Sequence, residues 1–222
     1  MAIPAIGDLL DLSHTLAAPL FEGKRYPWEI LAELKDFIKA LGASLPREEY
    51  DEIAPEVWVH KTAKIAPSAL IQGPTVIGAG TEVRHCAFIR GSALIGESCV
   101  VGNSTEVKNA VIFDNVQVPH FNYVGDSVLG FRSHMGAGVI ASNFRSDKGN
   151  VGVRDGDEKI ETGLRKLGAI LGDGVDVGCN SVLCPGSVVG RDTIVYPLSR
   201  VRGFIPERSI LKGDGSIVPR KI

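Results

Sequence analysis

The chain has 222 residues, 44% of them hydrophobic and 23% charged, enough apolar material for a buried core and too much for a disordered polymer. A formal net charge of −2 and a pI near 6.2 disfavour nucleic acid and anionic membranes as partners. No apolar run approaches the roughly 20 residues that span a bilayer, and MAIPAIGDLLDLSH lacks the basic start and long apolar core of a signal peptide, so the expected location is cytoplasmic.

Residues 1–52 show no repeat. Pro27 is predicted to open a helix with Ile30, Leu31, Leu34, Phe37, Ile38 and Leu41 on one face and Gly42 just past its end. This segment is expected to be a helical cap over the open N-terminal end of a repetitive region that begins near residue 53.

From Val59 the chain repeats every six residues. Val59, Ile65, Ile71, Ile77, Val83, Ile89, Ile95, Val101 and Val107 are all β-branched aliphatics, and a small residue stands four positions after each of the first eight, from Ala63 to Thr105. The phase returns with Leu171, Val177, Leu183, Val189, Val195 and Val201. A period of six fits neither a helix nor a simple alternating strand. It fits a three-sided coil of 18 residues, one aliphatic per side pointing inward, with successive coils pairing as parallel strands about 4.8 Å apart. The fold class is therefore all-β, a parallel β-helix over 53–205, each inward aliphatic contributing about 1.5–3 kcal/mol. Aromatics at 6% and 26 glycines suit such a thin, glycine-punctuated core.

One residue is missing from the phase near Ala110 to Ile112, and the repeat lapses at about 143–167 into RSDKGNVGVRDGDEKIETGLRK, read as a protrusion too polar for core. Residues 206–222, with Lys212, Arg220 and Lys221, read as a tail. Cys86, Cys99, Cys179 and Cys184 form no C-x-x-C pair and no zinc spacing, so reduced thiols in small core positions are expected, and no metal site.

Residues 18 apart stack on neighbouring coils. Arg90 and Lys108 are 18 apart and both come directly after an inward aliphatic, so both point outward. Two cations about 5–7 Å apart repel by about 1 kcal/mol in water, and a phosphate between them would relieve this; two independent solvated charges are the plainer alternative. His120, in VPHFNYVGDS, has the chemistry to accept a proton from an amine, although a lone histidine is more often structural. Glu106 shares the strand parity of Lys108 and is a candidate to orient an imidazole.

The strings EVKNA, HFNYVGDS and MGAGVIASN, in this order and spacing between Phe88 and Phe144, resemble the acetyltransferase domain of bifunctional N-acetylglucosamine-1-phosphate uridyltransferase/glucosamine-1-phosphate acetyltransferases. TGLRKLGAILGD is similar to the archaeal sugar-phosphate versions, and the resemblance covers about two-thirds of the chain. It implies a left-handed β-helix and a homotrimer with sites between subunits. It implies direct acetyl transfer from acetyl-CoA to an amino-sugar phosphate. Arg90 and Lys108 would hold the phosphate, His120 would be the general base and Glu106 its orienting partner. Tyr123 and Asn143 would position the sugar, while Gly136, Ala137, Gly138 and Cys179 would face the pantetheine arm.

His134 stands where that family has an asparagine reading the sugar, and Phe144 replaces a tyrosine or leucine. The acceptor is thus open among glucosamine-1-phosphate, a related amino sugar and another amine, and a need for Mg is also open. No G-x-G-T-R-like loop occurs, so pyrophosphorylase activity is not expected. A γ-class carbonic anhydrase would show an H-x4-H pair, which is absent. The remaining rival is a non-catalytic trimeric scaffold or a nucleotide-sugar-binding protein.

Overall fold

The computed structural model describes residues 3–221. Its coils stack as parallel strands whose partners lie eighteen residues apart at the start: Val57 with Thr75, Lys64 with Glu82, Leu70 with Phe88. The spacing drops to seventeen at Ala93–Ala110 and stays there through Tyr123–Ile140. It jumps to forty-two at Val128–Ile170, where the chain leaves the coil and returns, and recovers to eighteen at Ala169–Ser187. The molecule is therefore a parallel β-helix of three faces. The first face holds Val57–His60, Thr75–Ile77 and Ala93–Ile95, the second Lys64–Ile65, Glu82–Val83 and Val100–Asn103, the third Leu70–Ile71 and Phe88–Ile89, each continued coil by coil.

The inward aliphatics Ile77, Val83, Ile89, Ile95, Val101 and Val107 are buried, as the six-residue period requires. At the corners the backbone enters the left-handed region, and the chain places Ser98, Asn115, Asn109 and Asp126 there, residues whose short polar side chains tolerate it. Phe121, at φ 51°, and Leu198, at φ 61°, are the bulky exceptions at the corner between the second and third faces.

The first face is covered on its outside, and this corrects the expected cap. The residues that would point to solvent there, Val76, Leu94, Val111, Val128, Ile170 and Val188, are all apolar and all fully buried. The N-terminal segment runs lengthwise along them. The Asp173 N–H donates to the Leu9 carbonyl at 3.0 Å and the Asp114 N–H to the His14 carbonyl at 3.0 Å. The Asp11 N–H donates to the Asp173 carboxylate at 2.7 Å, and His14 stacks on Phe131 with ring centroids 3.5 Å apart. The single helix expected from Pro27 is two pieces, a 3-10 turn at Pro27–Ala32 and an α-helix at Leu34–Ser44. Gly42 lies inside that helix, not beyond it. A Cβ there would sit 2.0 Å from the Trp58 ring, so the glycine is a packing requirement.

The ends of the stack are closed by antiparallel strands. Tyr50–Ala54 folds onto Val57–His60, and Ile217–Pro219 onto Ser209–Leu211, which blunts the exposed edges. Coiling thus continues through Leu211, beyond the residue-205 limit read from the repeat. The excursion at 143–167 is also less detached than its polarity suggests. Gly152–Asp155 and Glu158–Glu161 form a hairpin, and Val151 and Val153 are buried against the coils. Of the four cysteines only Cys99 fills a buried position, where burial pushes its thiol up to about 12. Cys86 and Cys179 are exposed and Cys184 is half-buried, because they stand at corners instead of the inward column.

Candidate active site

The third face presents Phe88, Glu106 and Tyr123 side by side, since Phe88 pairs with Glu106 and Glu106 with Tyr123. Arg90, just past the end of its strand, lies 5.9 Å over the Phe88 ring and donates to the Glu106 carboxylate at 2.6 Å. This bond raises the Arg90 guanidinium above its ordinary value. Lys108, one coil on, donates to both oxygens of Asp126 at 3.0 Å.

Asp126 is the centre of the cluster. It is only 4% exposed and also accepts from the side-chain amides of Asn109, at 2.8 Å, and Asn143. Asn143 donates to the Tyr123 hydroxyl at 3.1 Å as well. Gly125 makes room for this arrangement, because a Cβ there would meet the Tyr123 hydroxyl at 2.5 Å and the Asn143 amide at 2.8 Å. Partial burial raises the Tyr123 phenol above its usual range.

Arg90, Glu106, Lys108, Tyr123 and Asn143 are thus brought together. Two relations read from spacing change. Arg90 and Lys108 do not face one another across an empty gap, because the carboxylates of Glu106 and Asp126 interleave with them and neutralise each. Glu106 is bonded to Arg90, and no hydrogen bond joins it to His120 among the described residues. Asp126 is the functional residue that sequence reasoning misses: the coil has shortened to seventeen residues here, so Lys108 pairs with Gly125 and Asp126 stands at the corner one residue on, seventeen after Asn109.

The corner between the second and third faces holds the other candidates in one column. The Phe121 N–H donates to the Asn103 carbonyl, Gly138 N–H to His120, Asn180 N–H to Ala137 and Leu198 N–H to Cys179, at 2.8–3.0 Å. His120, Ala137 and Cys179 therefore succeed each other coil by coil. The His120 imidazole is exposed and carries no hydrogen bond among the described residues. Its backbone is fixed by Asn122, 3% exposed, whose side chain accepts from the His120 N–H at 3.0 Å and donates to the Gly136 carbonyl at 2.7 Å. The column is narrow by necessity: a Cβ on Gly136 would lie 2.8 Å from the Cys179 nitrogen, and one on Gly138 2.2 Å from the Asn180 side-chain oxygen. The backbone N–H groups of Ala137 and Cys179 donate to nothing among the described residues, so the strip presents open donors.

His134 does not join either group. It lies on the second face and bonds Asp176 at 2.8 Å, which holds that carboxyl below its ordinary value. Among the described residues no three His, Cys, Asp or Glu side chains converge as a metal site.

The model of the GMPPB C-terminal domain matches residues 72–212. The bifunctional protein GlmU of Methanococcus maripaludis is 30% identical over 88% of this chain and 48% of its own length. The bifunctional sugar-1-phosphate nucleotidylyltransferase/acetyltransferase of Sulfurisphaera tokodaii is 36% identical over 48% of this chain and 25% of its own. The Escherichia coli K12 protein YaiX, named as an uncharacterized acetyltransferase, is 35% identical over 70% of this chain and 68% of its own. The chain thus spans about half the length, or less, of the bifunctional relatives it matches. With its coils described and the family match extending over more than half of its residues, the chain belongs to the GMPPB C-terminal domain family, here built as a hexapeptide-repeat β-helix.

Proposed function

We propose that the protein is an N-acetyltransferase that moves the acetyl group of acetyl-CoA to the amine of an amino-sugar phosphate. The observation that carries this reading is the adjacency of two dissimilar surfaces. One is a polar cluster of two carboxylate-paired cations, a phenol and a carboxamide, suited to a phosphorylated sugar once the phosphate takes over part of that pairing. The other is a narrow corner strip with an unbonded imidazole and open N–H donors, suited to a thin amide-bearing arm. Only Phe121 and Asn122 separate His120 from Tyr123, so the two surfaces meet at the imidazole. The names of the relatives point the same way.

In this mechanism the acceptor amine attacks the thioester carbonyl carbon. His120 takes the proton that the nitrogen gives up. A C–N bond forms, the carbonyl oxygen gains negative charge, and a backbone N–H of the strip, with Ala137 best placed by its proximity to His120, donates to it. The C–S bond then breaks, and the proton held by His120 passes to the departing thiolate, giving the N-acetyl sugar phosphate and free CoA. Lys108 and Arg90 hold the phosphate after partly exchanging their carboxylate partners for it. Tyr123 and Asn143 orient the ring.

The exposed apolar side chains beside the strip, Phe121 at 59% and Leu198 at 77%, support a second copy of the chain packing there, in line with a homotrimer. The reading is tested by release of CoA thiol from acetyl-CoA across a panel of amines that includes glucosamine-1-phosphate and galactosamine-1-phosphate. Turnover confined to a phosphorylated amino sugar supports it. Equal turnover on unphosphorylated amines removes the role assigned to Arg90 and Lys108.

A further inference from the structure

A cavity of about 440 Å³ opens one corner away, between the 143–167 excursion and the later coils. Its floor is Cys184–Pro185 and Gly203, and one wall is the hairpin strand Gly152–Asp155. That wall is seated firmly. A Cβ on Gly186 would lie 2.9 Å from the Gly152 carbonyl, and one on Gly203 2.7 Å from the Arg154 carbonyl, so the hairpin backbone rests directly on two corner glycines.

The lining is strongly cationic. Arg145, Arg154, Arg200 and Arg202 converge on it, and its one carboxylate, Asp147, is held by Arg145. Arg154, Arg200 and Arg202 are exposed and have no side-chain ion pair or hydrogen bond among the described residues. Elsewhere on this molecule cations close to a carboxylate pair with it, as Arg90, Lys108 and Arg191 do. Three unneutralised guanidiniums around one cavity repel each other, and each offers the planar fork that grips a phosphate through two parallel bonds. Phe144, 40% exposed, adds an aromatic face beside them. The volume falls in the range of about 300–1,000 Å³ typical of ligand sites and is far more than a lone phosphate fills.

We propose that this cavity binds a nucleoside diphosphate, with Arg154, Arg200 and Arg202 on the phosphates and the base against Phe144. None of these residues belongs to the Lys108–Asp126 cluster or to the His120 strip, so the site is separate in its residues; only where the nucleotide is the head of coenzyme A does it rest on the acetyl-transfer reading. The same chemistry has two sources: the ADP-like head of coenzyme A, or a free nucleotide or nucleotide sugar.

The test is calorimetric titration of the full chain with UDP, ADP, UDP-N-acetylglucosamine and CoA, against uridine and adenosine as uncharged controls. It compares wild type with Arg200→Ala, Arg202→Ala and the triple variant that adds Arg154→Ala, each checked for an unchanged melting profile. Binding of a diphosphate but not of the nucleoside is expected, weakened about tenfold by each single substitution and abolished in the triple variant. Weakening of CoA binding together with ADP assigns the site to the coenzyme's head group. Loss of UDP or nucleotide-sugar binding with CoA binding unchanged assigns it to a free nucleotide. No diphosphate binding to wild type, or binding that survives the triple substitution, overturns the proposal. None of these readouts requires turnover, so its failure is separable from failure of the acetyltransferase reading.

Discussion

Asp126 is the residue whose removal should be felt most. Replacing it with alanine strips the Lys108 ammonium of both its acceptors, leaves the Asn109 amide without its acceptor and leaves the Asn143 amide only the Tyr123 hydroxyl. Breaking a buried ion pair from one side costs about 3–5 kcal/mol. The Lys108 side chain is 24% exposed and can recover some hydration, which puts the expected loss at the lower end, about 3 kcal/mol. For a chain of this size that is a fall in Tm of about 6–12 °C. Asp126→Asn keeps an oxygen acceptor and should cost less, about 1–2 kcal/mol. A double-mutant cycle with Lys108→Met separates the pair from the rest of the network, and a coupling above about 1 kcal/mol is expected. Thermal denaturation monitored by circular dichroism measures every protein in the set. A Tm for Asp126→Ala within about a degree of wild type, with no coupling to Lys108, would refute the claim that Asp126 organises the cluster.

The packing and the titrating groups set three further outcomes. Gly42→Ala should destabilise by about 1–3 kcal/mol despite a helix-propensity gain of about 1 kcal/mol, because the new methyl meets the Trp58 ring at 2.0 Å; a higher Tm contradicts this packing. Burial raises Asp173 above 3.8, so its folded form binds a proton more readily than the unfolded chain, and stability should grow as pH falls through that raised value toward 3.8. Asp176, lowered by its bond to His134, has the opposite sign: its contribution is full above 3.8 and is lost as pH falls through the lower folded value. Melting curves across acid pH should show Asp173→Asn and Asp176→Asn changing the slope in opposite directions. Finally, a thiol reagent at pH 8 should label Cys86 rapidly and Cys99 only on unfolding, since burial pushes Cys99 up to about 12; fast labelling of Cys99 in folded protein contradicts its placement.

The inward column is legible because a single spacing governs it: every sixth residue must be apolar, and from Val59 to Val107 it is. The outward column Val76, Leu94, Val111, Val128, Ile170 and Val188 is equally present in the sequence, and it announces that something covers the first face. The inward positions alone do not contain that signal, and without it the helical N-terminus falls to the end of the stack instead of its side. Gly42 reads as a helix stop by local rules, but its reason is a distant indole, which no local rule contains. In the cluster, stacking brings Arg90 and Lys108 to one face correctly, while the partner each takes depends on side-chain reach. Glu106 can turn toward Arg90 or toward the corner, and the bond to Arg90 is what the fold forms. His134 takes its expected role from analogy of position, yet its strand belongs to the second face, where Asp176 is its neighbour.

The central claim is acetyl transfer from CoA to the nitrogen of a sugar phosphate, with His120 as base. Its most direct test is product analysis by NMR and mass spectrometry after incubation with isotopically labelled acetyl-CoA and glucosamine-1-phosphate or its galactose counterpart, comparing wild type with His120→Ala. The account predicts label on the sugar nitrogen with wild type and a rate about 10²–10⁴-fold lower in the variant at unchanged melting temperature. No labelled product from any amino-sugar phosphate, or equal rates with and without the imidazole, would contradict it.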